Sequence, residues 1–278
     1  MAEIASGLTL CTDWINRLSP LGLSKYLDAV SCHGYYTNSA SSAKPPEPAN
    51  LSGQMQALRQ TMINWLPSGT KLFITETGIS YPSGSRYSSN YPTADVLLQH
   101  AEAVVRTHVI LLGEGADTSF LFYSADYSDE VGFGLYFNLS MPNPDFGSPN
   151  ISPKPAAMAA ATATRLLDNT RTLGAITQMP TGAYGYSFEL LDDLHAVTAL
   201  WAHNGSFNAS VPFQFQLDAP GSTGTAVVFD AMGNPTNMQY TDGKLRVTLS
   251  EMPIYVLSAN IVALQPLLRA PEGYVAEL

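Results

Sequence analysis

The spacing of hydrophobic and polar positions changes character along this chain. Over its first 170 residues or so, short apolar runs alternate with longer amphipathic stretches. Asp28-Ala29-Val30-Ser31-Cys32, Lys71-Leu72-Phe73-Ile74-Thr75 and Thr118-Ser119-Phe120-Leu121-Phe122-Tyr123 are β-prone runs that predict short buried strands. Between the first two, Leu51, Met55, Leu58, Met62 and Trp65 recur every three or four residues. That spacing predicts a helix over 51–66, with Asn50 as its cap and Pro67 and Gly69 as its stop. Val96, Leu97, Ala101, Val104, Val105 and Val109 predict a second helix, with Gly113 at its C-cap. Pro153 and Pro155 open an Ala-rich third helix over 156–167, because proline at a helix start gives up an N–H that has no partner there.

Such βαβα alternation implies a parallel sheet with helical crossovers. From about residue 172 the helical period disappears. Tyr184–Leu190, His195–Ala202, Val211–Leu217, Thr225–Phe229, Leu245–Leu249 and Tyr255–Ser258 predict strands separated by Gly, Asn, Asp and Pro turns. The expected organisation is therefore α/β plus all-β: a βα domain over 1–171 and a β-sandwich domain over 172–278.

Composition narrows the partners. The net charge of −10 and the absence of any basic cluster argue against nucleic acid and against an anionic membrane surface. No apolar run reaches the length of a membrane span, and the first residues lack a basic segment followed by an apolar one, so no signal peptide is visible and no location is assigned. Only 13% of residues are charged, with Gly, Pro, Ser, Thr, Asn and Tyr in their place, a mix common in loop-rich carbohydrate-active proteins. Two cysteines do not make a disulfide framework, and Cys32, within an apolar run, is expected as a buried thiol. No Cys/His pair has zinc-site spacing, and neither metal nor cofactor is expected.

The candidate chemistry centres on Ile74-Thr75-Glu76-Thr77-Gly78, where a β-prone run ends in a carboxylate followed by small residues. A strand interior rarely hosts Glu, whereas the C-terminal strand ends of a (β/α)8 barrel carry its catalytic groups. Glu76 is the candidate nucleophile for glycoside chemistry; the alternative is a solvated Glu at a strand end. Asp126, Asp129 and Glu130 follow the third run and read as a solvated acidic loop or an adventitious calcium site. Tyr81, Tyr87, Tyr91, Tyr123 and Tyr127 fall in the expected C-terminal loops, where aromatic faces suit sugar rings or simply pack. His100 and His108 read as structural, Glu102 as a surface charge, and Trp201 as the centre of an apolar strand. His195 and His203 belong to the β region, where no catalytic constellation is visible.

Taken in order, these runs resemble the C-terminal part of retaining glycoside hydrolases of clan A, most nearly families 39, 5 and 30. Asp28-Ala29-Val30-Ser31-Cys32-His33-Gly34-Tyr35 is similar to barrel strand six, Leu72-Phe73-Ile74-Thr75-Glu76-Thr77-Gly78 to strand seven with its nucleophile, and Phe120-Leu121-Phe122-Tyr123 to strand eight. Residues 2–12 are similar to strand five, and Pro153 to Leu167 to the last barrel helix. The resemblance implies half a (β/α)8 barrel, about strands five to eight, followed by a C-terminal β-sandwich. It also implies O-glycosyl hydrolase (β-glycosidase) activity on a carbohydrate substrate. His33 and Tyr35 would then hydrogen-bond Glu76 or a sugar hydroxyl, or else pack as a core imidazole and a core aromatic, and Tyr123 would line the substrate site. The family's acid/base, a Glu usually preceded by Asn on strand four, has no counterpart here, since no Asn-Glu dipeptide occurs. The resemblance therefore implies a barrel completed by a second copy in a homodimer or by a complementary half-barrel chain. The alternative is a non-catalytic carbohydrate-binding or scaffold remnant of such an enzyme.

Overall fold

The computed structural model describes residues 2–4, 7–36, 45–80, 92–126, 132–137, 152–191, 195–203, 213–218, 221–259 and 268–274. Its first part alternates strand and helix. The order is β1 (Ala2–Ile4), α1 (Leu8–Leu18), β2 (Ala29–His33), α2 (Leu51–Trp65), β3 (Lys71–Thr77), α3 (Ala94–Gly113), β4 (Thr118–Leu121) and α4 (Pro155–Leu167). The four strands pair in parallel in sequence order, with β1 and β4 at the edges.

The helices cover one face of this sheet. Val30, Cys32, Leu72 and Ile74 share a buried cluster with Leu8, Cys11 and Ile15 of α1, Leu51, Met55, Leu58 and Met62 of α2, and Ala101, Val105 and Val109 of α3. The intervening residues of β2 and β3, Ser31 and Phe73, alternate to the opposite face. Asn50 occupies the N-cap of α2, but its backbone is left-handed and its side chain makes no cap bond. Thr93 caps α3 instead by accepting from Val96 N.

Two features differ from expectation near the start. Residues 2–12 are not one strand, because α1 begins at Leu8. Leu8, Cys11 and Ile15 are fully buried at helical spacing, whereas the alternation Leu8-Thr9-Leu10-Cys11 mimics a period of two. Nor is Cys32 a free thiol. It is bonded to Cys11, because packing α1 on β2 brings the two Cα atoms to 6.1 Å across a sequence separation of 21.

The second part is antiparallel. β5 (Thr170–Ile176), β6 (Ala183–Leu190), β7 (Ala196–Ala202), β8 (Phe213–Asp218), β9 (Thr223–Phe229), β10 (Pro235–Thr241), β11 (Lys244–Leu249), β12 (Ile254–Ala259) and β13 (Leu268–Arg269) link in the order β13-β5-β6-β7-β12-β9-β10-β11-β8. The described strands thus form one continuous sheet rather than the two sheets of a sandwich. β10 and β11 meet only at Thr241 and Lys244, and beyond that corner the sheet curls back. Leu245, Val247 and Leu249 of β11 then pack over Leu200, Ala202, Val228 and Val256. The other face of the sheet lies on the helical layer through Tyr186, Phe188, Val197, Ala199, Trp201 and Tyr255. β7 is consequently buried at every position, with side chains alternating between the two cores. Trp201 is fully buried, and its ring stacks with those of Tyr184 and Tyr186, at 5.8 and 5.9 Å. No helix among the described residues is long and apolar enough to cross a membrane.

Candidate active site

Strand register decides where Glu76 points. Pairing advances from Ile74 to Glu76 along β3 while it advances from Cys32 to His33 along β2. It advances from Ile74 to Thr77 along β3 while it moves from Ser119 to Leu121 along β4. Against both neighbours, β3 carries one extra residue just after Ile74. Strict alternation would put Glu76 on the buried face with Leu72 and Ile74. The bulge resets the parity, so Thr77 turns into the core at 0% exposure and Glu76 faces the side away from the helices. The backbone there is pinned from both sides: Gly34 N donates to Glu76 O at 2.7 Å, and Phe122 N donates to Thr77 O at 2.6 Å.

Two side chains from the end of β2 meet the carboxylate. The Tyr35 hydroxyl donates to Glu76 Oε1 at 2.7 Å, and His33 Nε2 lies 3.6 Å from Glu76 Oε2. The Glu76 side chain is 29% exposed and that of His33 15%, so the group is open enough to meet a ligand and confined enough to be oriented. Small residues are required around it. A Cβ on Gly78 would overlap the Phe122 carbonyl oxygen, and one on Gly34 would press on Ile74 and Thr77.

Aromatic rings extend from this point. Tyr35 meets Phe122 edge-on at 6.5 Å, Phe122 meets Tyr123 at 4.3 Å, and Tyr123 stacks on Phe133 at 6.4 Å. The Phe122–Tyr123 peptide is cis. Tyr123 is half-buried, and Phe122 contacts both it and Tyr35. Phe122 and Phe133 had no sequence signal as site residues, because an apolar ring in a strand or loop reads first as core. Tyr81, Tyr87, Tyr91, Tyr127, Asp129 and Glu130 lie outside the described residues.

Other candidates have structural settings. Asp126 is not a solvated loop carboxylate. It is buried, pairs with Lys154 Nζ at 2.7 Å and accepts from Gly134 N at 2.7 Å. Lys154 Nζ also donates to Gly134 O, and burial pulls its pKa down to about 8 against the pull of Asp126. Among the described residues, no group of three or more His, Cys, Asp or Glu side chains is arranged to hold a metal. His100 is buried, with Nε2 2.7 Å from Ile79 O, and burial lowers its pKa to about 3. His108 contacts Ser119 Oγ at 2.9 Å, and burial lowers its pKa to about 4. Both imidazoles are neutral at physiological pH. Glu102 is not a surface charge: it is half-buried, and desolvation raises its pKa to about 7.

The fold has solved relatives. A family 39 glycoside hydrolase from the gut symbiont Bacteroides cellulosilyticus WH2 superposes with a TM-score of 0.63 at 18% identity, covering 92% of this chain and 49% of that one. An alpha-L-arabinofuranosidase from Thermotoga maritima superposes with a TM-score of 0.50 at 11% identity, covering 90% of this chain and 56% of that one. The chain thus spans about half the length of the solved structures it matches, and it has a glycosidase-like fold. No protein-family model and no curated protein matches the sequence.

Proposed function

We propose that this chain is a glycoside hydrolase, a retaining β-glycosidase in which Glu76 is the nucleophile. The observation that carries the reading is the β3 bulge, which turns a strand-end carboxylate away from the core and toward Tyr35 and His33. In a retaining reaction the carboxylate attacks the anomeric carbon, and the glycosidic C–O bond breaks as an acid protonates the leaving oxygen. Water then hydrolyses the glycosyl ester with the acid acting as base. The donated Tyr35 hydrogen bond fixes one carboxylate oxygen and leaves the other for attack. His33, Tyr35 and Tyr123 offer hydrogen-bonding and ring contacts to the sugar.

A second carboxyl group about 5–5.5 Å from the nucleophile is required. The described partners of Glu76 are a phenol and an imidazole, and neither is that group. Among the described residues β1 and β4 have no outer strand neighbour, which suits a barrel completed by further strands that would also bring the acid. A second copy in a homodimer, or a complementary half-barrel chain, supplies them in this proposal. The same gap favours one other reading, a carbohydrate-binding remnant without turnover.

The test pairs a panel of aryl β-glycosides with an activated 2-deoxy-2-fluoro glycoside, which traps a glycosyl ester. Phenol release by the wild type, its loss in Glu76→Gln, and a trapped sugar mapped to Glu76 are expected. A trapped sugar on any other carboxylate overturns the assignment of the nucleophile. Saturable sugar binding without release, in wild type and Glu76→Gln alike, establishes the binding remnant.

A further inference from the structure

The bulge that aims Glu76 has side-chain partners of its own. Pairing between β2 and β3 runs Ser31 with Phe73 and Cys32 with Ile74, then jumps to His33 with Glu76. Thr75 is thus the residue of β3 with no counterpart on β2. Its hydroxyl oxygen lies 3.0 Å from Ser31 Oγ and 3.4 Å from the Cys32 carbonyl oxygen. A carbonyl can only accept, so Thr75 donates to Cys32 O and accepts from Ser31. Ser31 is 1% exposed, and a hydroxyl buried that far depends on a protein partner. Among the described residues Thr75 is that partner.

The contact belongs to the bulged register. In a regular ladder Thr75 would stand two residues beyond Phe73, the partner of Ser31. That is about 6.6 Å along the strand and about 4.8 Å across, beyond the reach of two hydroxyls each one bond from Cβ. The extra residue draws Thr75 back toward Ser31 and leaves Thr75 and Glu76 on the same side of the sheet. A slip to the regular register would strand the buried Ser31 hydroxyl and turn Glu76 toward Leu72 and Ile74. The hydroxyl pair therefore favours the one register that presents the carboxylate.

We propose that Ser31 and Thr75 are positioning residues: their hydroxyl pair pins the β3 bulge and so keeps the Glu76 carboxylate facing Tyr35 and His33. The consequence for chemistry rests on the reading of Glu76 as nucleophile; the consequence for the bulge does not. The pair acts through the backbone, because the bulge sets the direction in which the Glu76 side chain leaves the strand. Two amides report on that backbone, Gly34 N on Glu76 O at 2.7 Å and Phe122 N on Thr77 O at 2.6 Å. Losing the pin lowers the share of molecules whose carboxylate is aimed for attack, which reduces the rate of the bound complex more than its affinity.

The experiment compares the wild type with Thr75→Val, which keeps the shape and removes the hydroxyl, Thr75→Ser, which keeps the hydroxyl, Ser31→Ala, and Ser31→Ala with Thr75→Val. Hydrogen exchange of the Gly34 and Phe122 amides is read against the amides of β7, and ester formation from the activated 2-deoxy-2-fluoro glycoside is followed over a range of its concentration. Thr75→Val and Ser31→Ala are each expected to speed exchange at both amides about tenfold. They are expected to slow ester formation at saturation by a similar factor and to leave the half-saturating concentration unchanged. Thr75→Ser is expected to match the wild type, and the double variant to lose no more than either single one. Wild-type exchange at Gly34 and Phe122 in Thr75→Val overturns the proposal, as does Thr75→Ser behaving like Thr75→Val. Faster exchange with an unchanged rate of ester formation overturns it too, because the pin would then not aim Glu76. A wild type that forms no ester overturns the nucleophile reading instead, and the exchange of the two amides still decides the pin.

Discussion

The Tyr35 hydroxyl donates to Glu76 Oε1 at 2.7 Å, reaching from the end of one parallel strand to the end of its neighbour. The contact exists because β3 gains a residue after Ile74. Without it, the carboxylate would share the helix-covered face with Leu72. Removing the hydroxyl should therefore affect chemistry more than folding. A hydrogen bond to a charged group contributes about 1.5–3 kcal/mol, or roughly a 10- to 100-fold change in rate if it is felt in the transition state. Tyr35→Phe is expected to slow formation of the trapped glycosyl ester by that factor and to leave the melting temperature within about 2 °C. Trapping at the wild-type rate would remove Tyr35 from the site.

Much of this arrangement was legible in the sequence, and the rest was hidden for identifiable reasons. The runs at 28–33 and 71–77 stand out because Val30, Cys32, Leu72 and Ile74 sit on a fully covered face. The bulge does not stand out, since it depends on register with two other strands. α1 was obscured by a local alternation over Leu8 to Cys11. β5 and β10 were missed because Thr170-Arg171-Thr172 and Pro235-Thr236-Asn237 are polar, and β10 is largely exposed. Asp126 read as solvated because its partner Lys154 lies 28 residues away in sequence, and Glu102 because its burial comes from tertiary packing that the helix pattern does not show.

The pair of Lys154 and Asp126 should behave as a buried ion pair. Lys154 is fully buried and caps the Asp126 turn through Gly134. Truncating one partner strands the other's charge, at a cost of about 3–5 kcal/mol, whereas neutralising both is far milder. Lys154→Met is expected to lower the urea midpoint strongly. Lys154→Met with Asp126→Asn is expected to recover most of the loss, because Asn still accepts from Gly134 N. Additive single-variant losses in the double variant would show that the pair is not coupled.

The Cys11–Cys32 bond ties α1 to β2 directly before His33. Closing a loop of this length restricts the unfolded chain by about 3 kcal/mol in the chain-entropy account. Because both cysteines are fully buried, reduction should require partial unfolding. Cys11→Ala with Cys32→Ala is expected to lose about that amount in urea unfolding monitored under oxidising conditions. Wild-type protein reduced and alkylated in denaturant should match the double variant after refolding. A double variant as stable as the oxidised wild type would mean that the bond contributes nothing to the folded state.

Among the described residues the outer edge of β4 has no strand neighbour, and completion of the sheet can be tested there. Phe120 is 54% exposed there, although its strand neighbours are half-buried. Beside it runs a groove of about 420 Å³ lined by Val105, Val109, Leu121, Leu135, Ala163 and Leu167, between α3, β4 and α4. An apolar groove along an unpaired parallel edge suits an added strand whose outward side chains fill it. If a second copy supplies that strand, the chain should sediment as a dimer at micromolar concentration. Phe120→Glu should make it monomeric by placing a charge in the groove. The same substitution should abolish glycosidase activity without lowering the monomer's melting temperature, because Phe120 contributes little buried area in the isolated chain. A wild-type monomer that releases phenol would rule out completion by a second copy, and so would an active monomeric Phe120→Glu.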